Sequence, residues 1–158
     1  MKDKIGLFLN ILDSLCCKIV IFFLIMMIFL IFSQVFFRYV LNKPLSWTEE
    51  VSRHLMIWAT FIAAAVAYRR NAHLGIDIFV KILPIKFQKI VSLSVYFIMM
   101  IYSFFIVFNG FNMADKTMRQ ISSGLGYKMG YIYLAIPVSF IFFLIFTAEK
   151  ILETYSDN

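Results

Sequence analysis

A chain of 158 residues that is 62% hydrophobic, with a mean hydropathy of +0.86 and 19 phenylalanines, carries more apolar surface than a soluble domain of that size can hide. Its net charge of +6 needs no nucleic acid, because basic residues beside the inner leaflet meet anionic lipid. The apolar runs lack period-two alternation, which excludes a membrane β-barrel.

The predicted fold class is therefore an all-α integral membrane protein, with one membrane domain over 1–158 and no internal repeat. Four transmembrane helices are predicted at approximately 19–41, 46–68, 86–110 and 130–150, each built on about 20 mostly apolar residues. The N-terminal stretch MKDKIGLFLNILDSLCCK is read as a retained anchor, since the apolar run behind it is too long for a signal peptide and no small-x-small cleavage site follows. Ile5, Phe8, Leu12 and Leu15 share one helical face, and Asp3, Asn10 and Ser14 the opposite one, which predicts a short interfacial helix leading into the first span. Cys16 and Cys17 are adjacent and belong to no C-x-x-C or Cys/His ligand set, so no chemistry is assigned to them.

Arg38, Lys43, Glu49, Glu50 and Arg53 crowd the turn into the second span. Ser46 followed by Glu49 predicts a capping box that starts the helix, with both glutamates at the positive end of its dipole. Trp47 falls at headgroup depth. Glu49 and Arg53 are spaced for an i,i+4 pair, and a glutamate facing Arg38 would tie the first two helices together. Ionisable groups this close to hydrocarbon face protein or water, so the cluster reads either as a hairpin-closing set or as a surface for a partner. Ala59, Ala63 and Ala67 recur every four residues and admit a second helix closely, from within the bundle or from a larger partner; Trp58, Phe61 and Ile62 occupy the other side.

Between the second and third spans, an amphipathic segment at approximately 74–83 is predicted to lie in the inner interface, with His73 before it and Asp77 and Lys81 paired at i,i+4. An ordinary hairpin is the alternative. Pro84 ends that piece and opens the third helix. The Gly-containing connector that follows reads as an outward loop, with a helical extension of the third span through Arg119. Pro137 predicts a kink in the fourth span, where it frees a backbone carbonyl. With both termini cytoplasmic, nine basic residues fall inside and six outside, which favours that orientation.

No enzyme is predicted. His54 and His73 are ~28 Å apart along a helix and cannot share a metal or haem, and neither a Ser–His–Asp set nor a carboxylate pair lies at membrane depth. No cofactor is expected. All nine acids lie at span ends or in connectors, which disfavours a proton-coupled exporter; a stand-alone exporter or sensor remains the alternative reading.

FFRY at 36–39, PLSWTEEVSR at 44–53, Trp58, RRNAHLGID at 69–77 and GYIYLAIPVSF at 130–140 occur in an order that resembles the small permease subunit of tripartite ATP-independent periplasmic (TRAP) transporters. Two departures are Ser139 and Ala63, where glycine is common. The resemblance implies a non-catalytic scaffold in the bacterial inner membrane. Its implied partners are a large permease subunit, a periplasmic substrate-binding protein and membrane lipids, in sodium-coupled uptake of an organic acid of the sialic acid or C4-dicarboxylate class. The charge density at the span end predicts that Arg38, Glu49, Glu50 and Arg53 brace the first hairpin near a partner at the outer face, and the outward loop at 109–131 is the expected landing surface for the binding protein.

Overall fold

The computed structural model describes residues 2–43, 45–70 and 84–156. The predicted segment at 74–83, with His73, Asp77 and Lys81, lies outside the described residues. The described chain forms α1 (Lys2–Tyr39), α2 (Ser46–Arg69), α3 (Ile85–Thr117), the single turn α4 (Gly130–Tyr133) and α5 (Ala135–Ser156). Four helical stretches, Gly6–Tyr39, Ser46–Arg69, Phe87–Thr117 and Gly130–Leu152, are long and apolar enough to cross a bilayer. The all-α membrane class read from composition is thus the observed one.

The helices are arranged in the order α1, α2, α5, α3, with α2 and α5 central. The most apolar stretches of α2 and α5 are 33% and 39% buried, against 11% and 6% for α1 and α3. The packing is inverted relative to a soluble bundle. Phe22, Phe29, Phe32, Phe104, Phe105 and Phe108 face outward, while Thr48, Ser52, Ser103, Ser139 and Thr147 are buried. Two of these buried hydroxyls bond within their own helices: Ser52 donates to the Thr48 carbonyl at 2.8 Å and Thr147 to that of Phe143 at 2.7 Å. One apolar cluster joins Ala65 and Tyr68 of α2 to Phe143 and Phe146 of α5, and a second joins Cys16 to Ile62 and Val66, with Trp58 against it.

Several expectations are corrected. α1 runs unbroken from Lys2 for 38 residues, ~57 Å, so no separate interfacial helix precedes the first span. On the predicted apolar face Phe8 and Leu15 are exposed, free to meet lipid, while Leu12 packs against the core; Leu9, Asp13 and Cys16 are buried. The capping box is not made. Leu45 occupies the N-cap without a side-chain bond, Ser46 is already helical, and the Thr48 hydroxyl donates to the Leu45 carbonyl at 2.7 Å. α3 ends at Thr117, two residues before Arg119, where Met118 caps it through the carbonyls of Ala114 and Asp115.

Two interruptions follow from backbone chemistry. Pro84, at φ −56° and ψ 145°, caps α3 and lends its carbonyl to the amides of Phe87 and Gln88. The last span breaks at Leu134, one turn before Pro137, which has no amide proton for the carbonyl of Tyr133 and crowds it. The Pro137 ring packs on Gly110 of α3: a Cβ on Gly110 would stand 3.0 Å from Cδ of the proline.

Candidate functional site

Polar chemistry gathers at the two ends of the bundle. At the hairpin end, α2 starts with Glu49, Glu50, Arg53 and His54 on successive turns, opposite the loop 118–129. That loop is a tight β-like turn. The Ser122 amide donates to the Tyr127 carbonyl at 2.8 Å, the Met129 amide to the Gln120 carbonyl at 2.9 Å, and Ile121 and Lys128 form an isolated antiparallel bridge. Gly126, at φ +71°, makes the left-handed turn that a side chain would strain.

Glu50 fastens this loop to α2. The Ser122 hydroxyl donates to Oε1 at 2.5 Å and the Gly124 amide to Oε2 at 2.8 Å, so both carboxylate oxygens are used. One turn on, buried His54 meets the Tyr127 hydroxyl through Nδ1, with the rings edge to face at 5.5 Å. Burial, and then the Glu50 carboxylate, push the Tyr127 hydroxyl above the ordinary phenol value, so it stays neutral. Glu49 bonds Arg53 at 3.1 Å, but both side chains are more than 60% exposed and the pair contributes little. A cavity of about 830 Å³ opens between these parts, with Glu49, Arg53 and Gln120 at its polar side and Ile57, Phe61 and Ile136 on its apolar wall.

The expected Arg38–glutamate tie across the hairpin is not formed. The two glutamates are taken by Arg53 and the loop, and the Arg38 guanidinium lies 5.9 Å from the centre of the Tyr39 ring. The parts brought together are α2 and the α3–α4 loop rather than α1 and α2. Trp47 is exposed at the start of α2, while Trp58 is turned inward onto the Cys16 cluster. Ala59, Ala63 and Ala67 line an apolar groove of about 400 Å³ against Val20 and Leu24 of α1.

The terminal end holds a network that local spacing does not reveal. The Arg69 guanidinium grips Glu149 of α5 with two bonds, Nε to Oε2 at 2.7 Å and Nη2 to Oε1 at 2.6 Å, and Nη2 also donates to Asn10 of α1 at 2.8 Å. Asp13 of α1 lies 3.8 Å from Arg69 and accepts from Arg70 at 2.7 Å. The side chains of Asp13, Glu149 and Arg69 are only 11%, 12% and 14% exposed. Buried Lys150 places its ammonium 4.5 Å from the centre of the Tyr68 ring and 5.9 Å from that of Tyr96 on α3, so all four long helices meet here. In the sequence, Arg69 and Arg70 count toward the basic-residue bias and the RRNAHLGID motif, and Lys150 toward the bias alone; none of them is assigned a partner. The signal that could have found the network is opposite charge at matching depth on three spans: Asp13, Arg69 with Arg70, and Glu149.

Among the described residues, no group of three His, Cys, Asp or Glu side chains stands together as a metal site. What the two ends can do is hold helices and a loop in place.

Residues 27–157 match the family described as tripartite ATP-independent periplasmic transporters, DctQ component. A Haemophilus influenzae protein described as a putative TRAP transporter small permease protein is 30% identical over 85% of this chain and 82% of its own length. The sialic acid TRAP transporter small permease protein SiaQ of Vibrio cholerae is 27% identical over 75% of the chain and 68% of its own. The sialic acid TRAP transporter permease protein SiaT of H. influenzae is 25% identical over 69% of the chain, which there accounts for 18% of a longer polypeptide.

Proposed function

The chain belongs to the DctQ component family of TRAP transporters, a family of transporter subunits rather than enzymes, and from that premise we propose that it is the non-catalytic scaffold of a binding-protein-dependent uptake system for an organic acid. It is a small, multi-pass inner-membrane permease subunit. The large permease carries the substrate, driven by sodium, and a periplasmic binding protein delivers it. Sialic acid is the favoured substrate class, on the names of the relatives SiaQ and SiaT, with C4-dicarboxylates second, on the name of a Vibrio cholerae relative, the C4-dicarboxylate TRAP transporter small permease protein DctQ. The termini face the cytoplasm, on the basic-residue bias, and the hairpin end faces outward.

The observation that carries the scaffold role is where the charge sits. Asp13 and Glu149 are engaged at one end and Glu49 and Glu50 at the other, while Ser103 and Ser139, buried between the two ends, are uncharged. A bundle built this way, among the described residues, has no charged group at mid-depth to couple an ion to a solute. The length of SiaT supports a large companion, since a segment like this chain is there joined covalently to a much longer one. The decisive experiment is reconstitution in liposomes with a sodium gradient, binding protein and labelled sialic acid. Uptake requires the chain and the large permease together. Solute movement by the chain alone, or full uptake by the permease without it, overturns the reading.

Two substitutions test where the partners sit. Glu50→Ala frees the loop at Ser122 and Gly124, and is expected to reduce binding-protein-dependent uptake several-fold while the chain still co-purifies with the permease; unchanged uptake removes the loop from the delivery path. Ala63→Leu puts a branched side chain into the groove against which the permease packs, and is expected to lower recovery of the complex on affinity purification. Recovery at the native level moves the permease contact elsewhere, toward Arg38, Trp47 and Arg53.

A further inference from the structure

The terminal-end network has no part in substrate delivery or in the alanine groove, and its burial calls for a role. α1 and α3 bury only 11% and 6% of their most apolar stretches. Helices that face lipid gain little from one axial register over another, because apolar surface that slides off a neighbouring helix meets acyl chains instead. The α1–α2 contact is apolar, with Cys16, Val20 and Phe23 packed against Ile62 and Val66, and apolar contact of this kind fixes axial depth only weakly in lipid. Hydrogen-bonded charges differ from apolar surfaces in this respect: a slip of one turn, ~5.4 Å, breaks every one of them.

We propose that Asn10, Asp13, Arg69, Arg70 and Glu149 form a register lock that fixes the depth of α1 and α5 against α2. Arg69 sits at the hub. Its two bonds to Glu149 set α5, its bond to Asn10 sets α1, and Asp13 bridges to Arg70 beside it. The register on α1 is unique, since Asp13 is the only acid between Gly6 and Arg38. α5 carries a second glutamate one turn on, Glu153, but two neighbours of Glu149 select the observed register. Thr147 shares a hydrogen bond with the Tyr68 hydroxyl at 3.2 Å, and Lys150 lies over the Tyr68 and Tyr96 rings. Buried ionic groups are weak contributors to stability relative to apolar replacements, and setting register is their best-attested use. The lock therefore determines the depth at which the bundle offers α1 and the groove beside it to a partner.

The test reads register directly and does not depend on the transporter reading. Spin labels are carried on unnatural amino acids in the full-length chain in lipid nanodiscs, leaving Cys16 and Cys17 in place. One pair is placed at the exposed positions Ile11 and Leu152, near the network, and another at Tyr39 and Ile121 on the opposite end. In the native chain both pairs give a single narrow distance peak. Arg69→Gln and Asp13→Asn each broaden or split the Ile11–Leu152 peak by about one helical turn, ~5 Å, and leave the Tyr39–Ile121 peak as it was. The lock is overturned by a native-like Ile11–Leu152 peak in both variants, by a broad one in the native chain, or by both pairs broadening together, which reports loss of fold. Where Arg69→Gln yields no monodisperse protein, Asp13→Asn decides.

Discussion

Glu149→Ala is expected to cost far more stability than Glu49→Ala, although each removes one carboxylate from one arginine. Glu149 holds Arg69 by two bonds of 2.6 and 2.7 Å, with both side chains less than 15% exposed. Removing it leaves a guanidinium desolvated and short of its bidentate partner, and breaking such a buried pair typically costs about 3–5 kcal/mol. Glu49 and Arg53 are 63% and 67% exposed, and an exposed i,i+4 pair is worth at most ~1 kcal/mol. Thermal unfolding of the two variants in one detergent decides the matter. Added salt should narrow only the effect of Glu49→Ala, since exposed charges are screened and buried ones are not. Equal losses would mean that water reaches Arg69 freely and that the network is no more than a surface cluster. Glu149→Gln, which keeps an acceptor and loses the charge, should fall between the two.

That contrast also marks how far the sequence could be read. The four spans were legible because hydrocarbon demands about 20 apolar residues wherever the chain crosses it. Pro84 and the break before Pro137 were legible because a missing amide acts locally. The inward faces were not. The apolar spacing of Phe8, Leu12 and Leu15 does not say which of them meets a neighbouring helix and which meets lipid: Phe8 and Leu15 look outward, Leu12 packs on the core, and Asp13 and Cys16 are buried. The charge pairing was hidden for a different reason. Glu49 and Glu50 lie near Arg38 in sequence, but Glu50 finds its donors 72 and 74 residues away, at Ser122 and Gly124. Arg69 finds Glu149 80 residues away. Such pairs depend on which helices are neighbours, which no local spacing encodes. The Ser46–Glu49 box failed by one position: with Leu45 at the cap, Ser46 is already inside the helix.

Gly130→Ala tests whether the hairpin-end site rests on close backbone contact as the terminal end rests on charge. A Cβ at position 130 would stand 2.5 Å from the carbonyl oxygen of Ala114 and 2.6 Å from Sδ of Met118. Met118 can swing aside, but the carbonyl belongs to the last turn of α3, where it accepts the Met118 amide at 3.1 Å and the Thr117 hydroxyl at 3.0 Å. Relief therefore requires α4 to move off α3. The loop is tied at both edges of that joint, so Ser122 and Tyr127 would be drawn away from Glu50 and His54, and the cavity between them would change shape. Overpacking of this kind costs about 1–3 kcal/mol, more where backbone must yield. Gly6→Ala is the control. Its Cβ meets nothing within 4 Å in a helix, so alanine there should stabilise slightly, by at most ~1 kcal/mol. Gly130→Ala should lower the unfolding temperature in detergent and raise protease cleavage in the loop 118–129, and Gly6→Ala should do neither. If Gly130→Ala unfolds at the native temperature with its loop still protected, α4 is not wedged against α3, and the hairpin-end site depends on the Glu50 bonds alone.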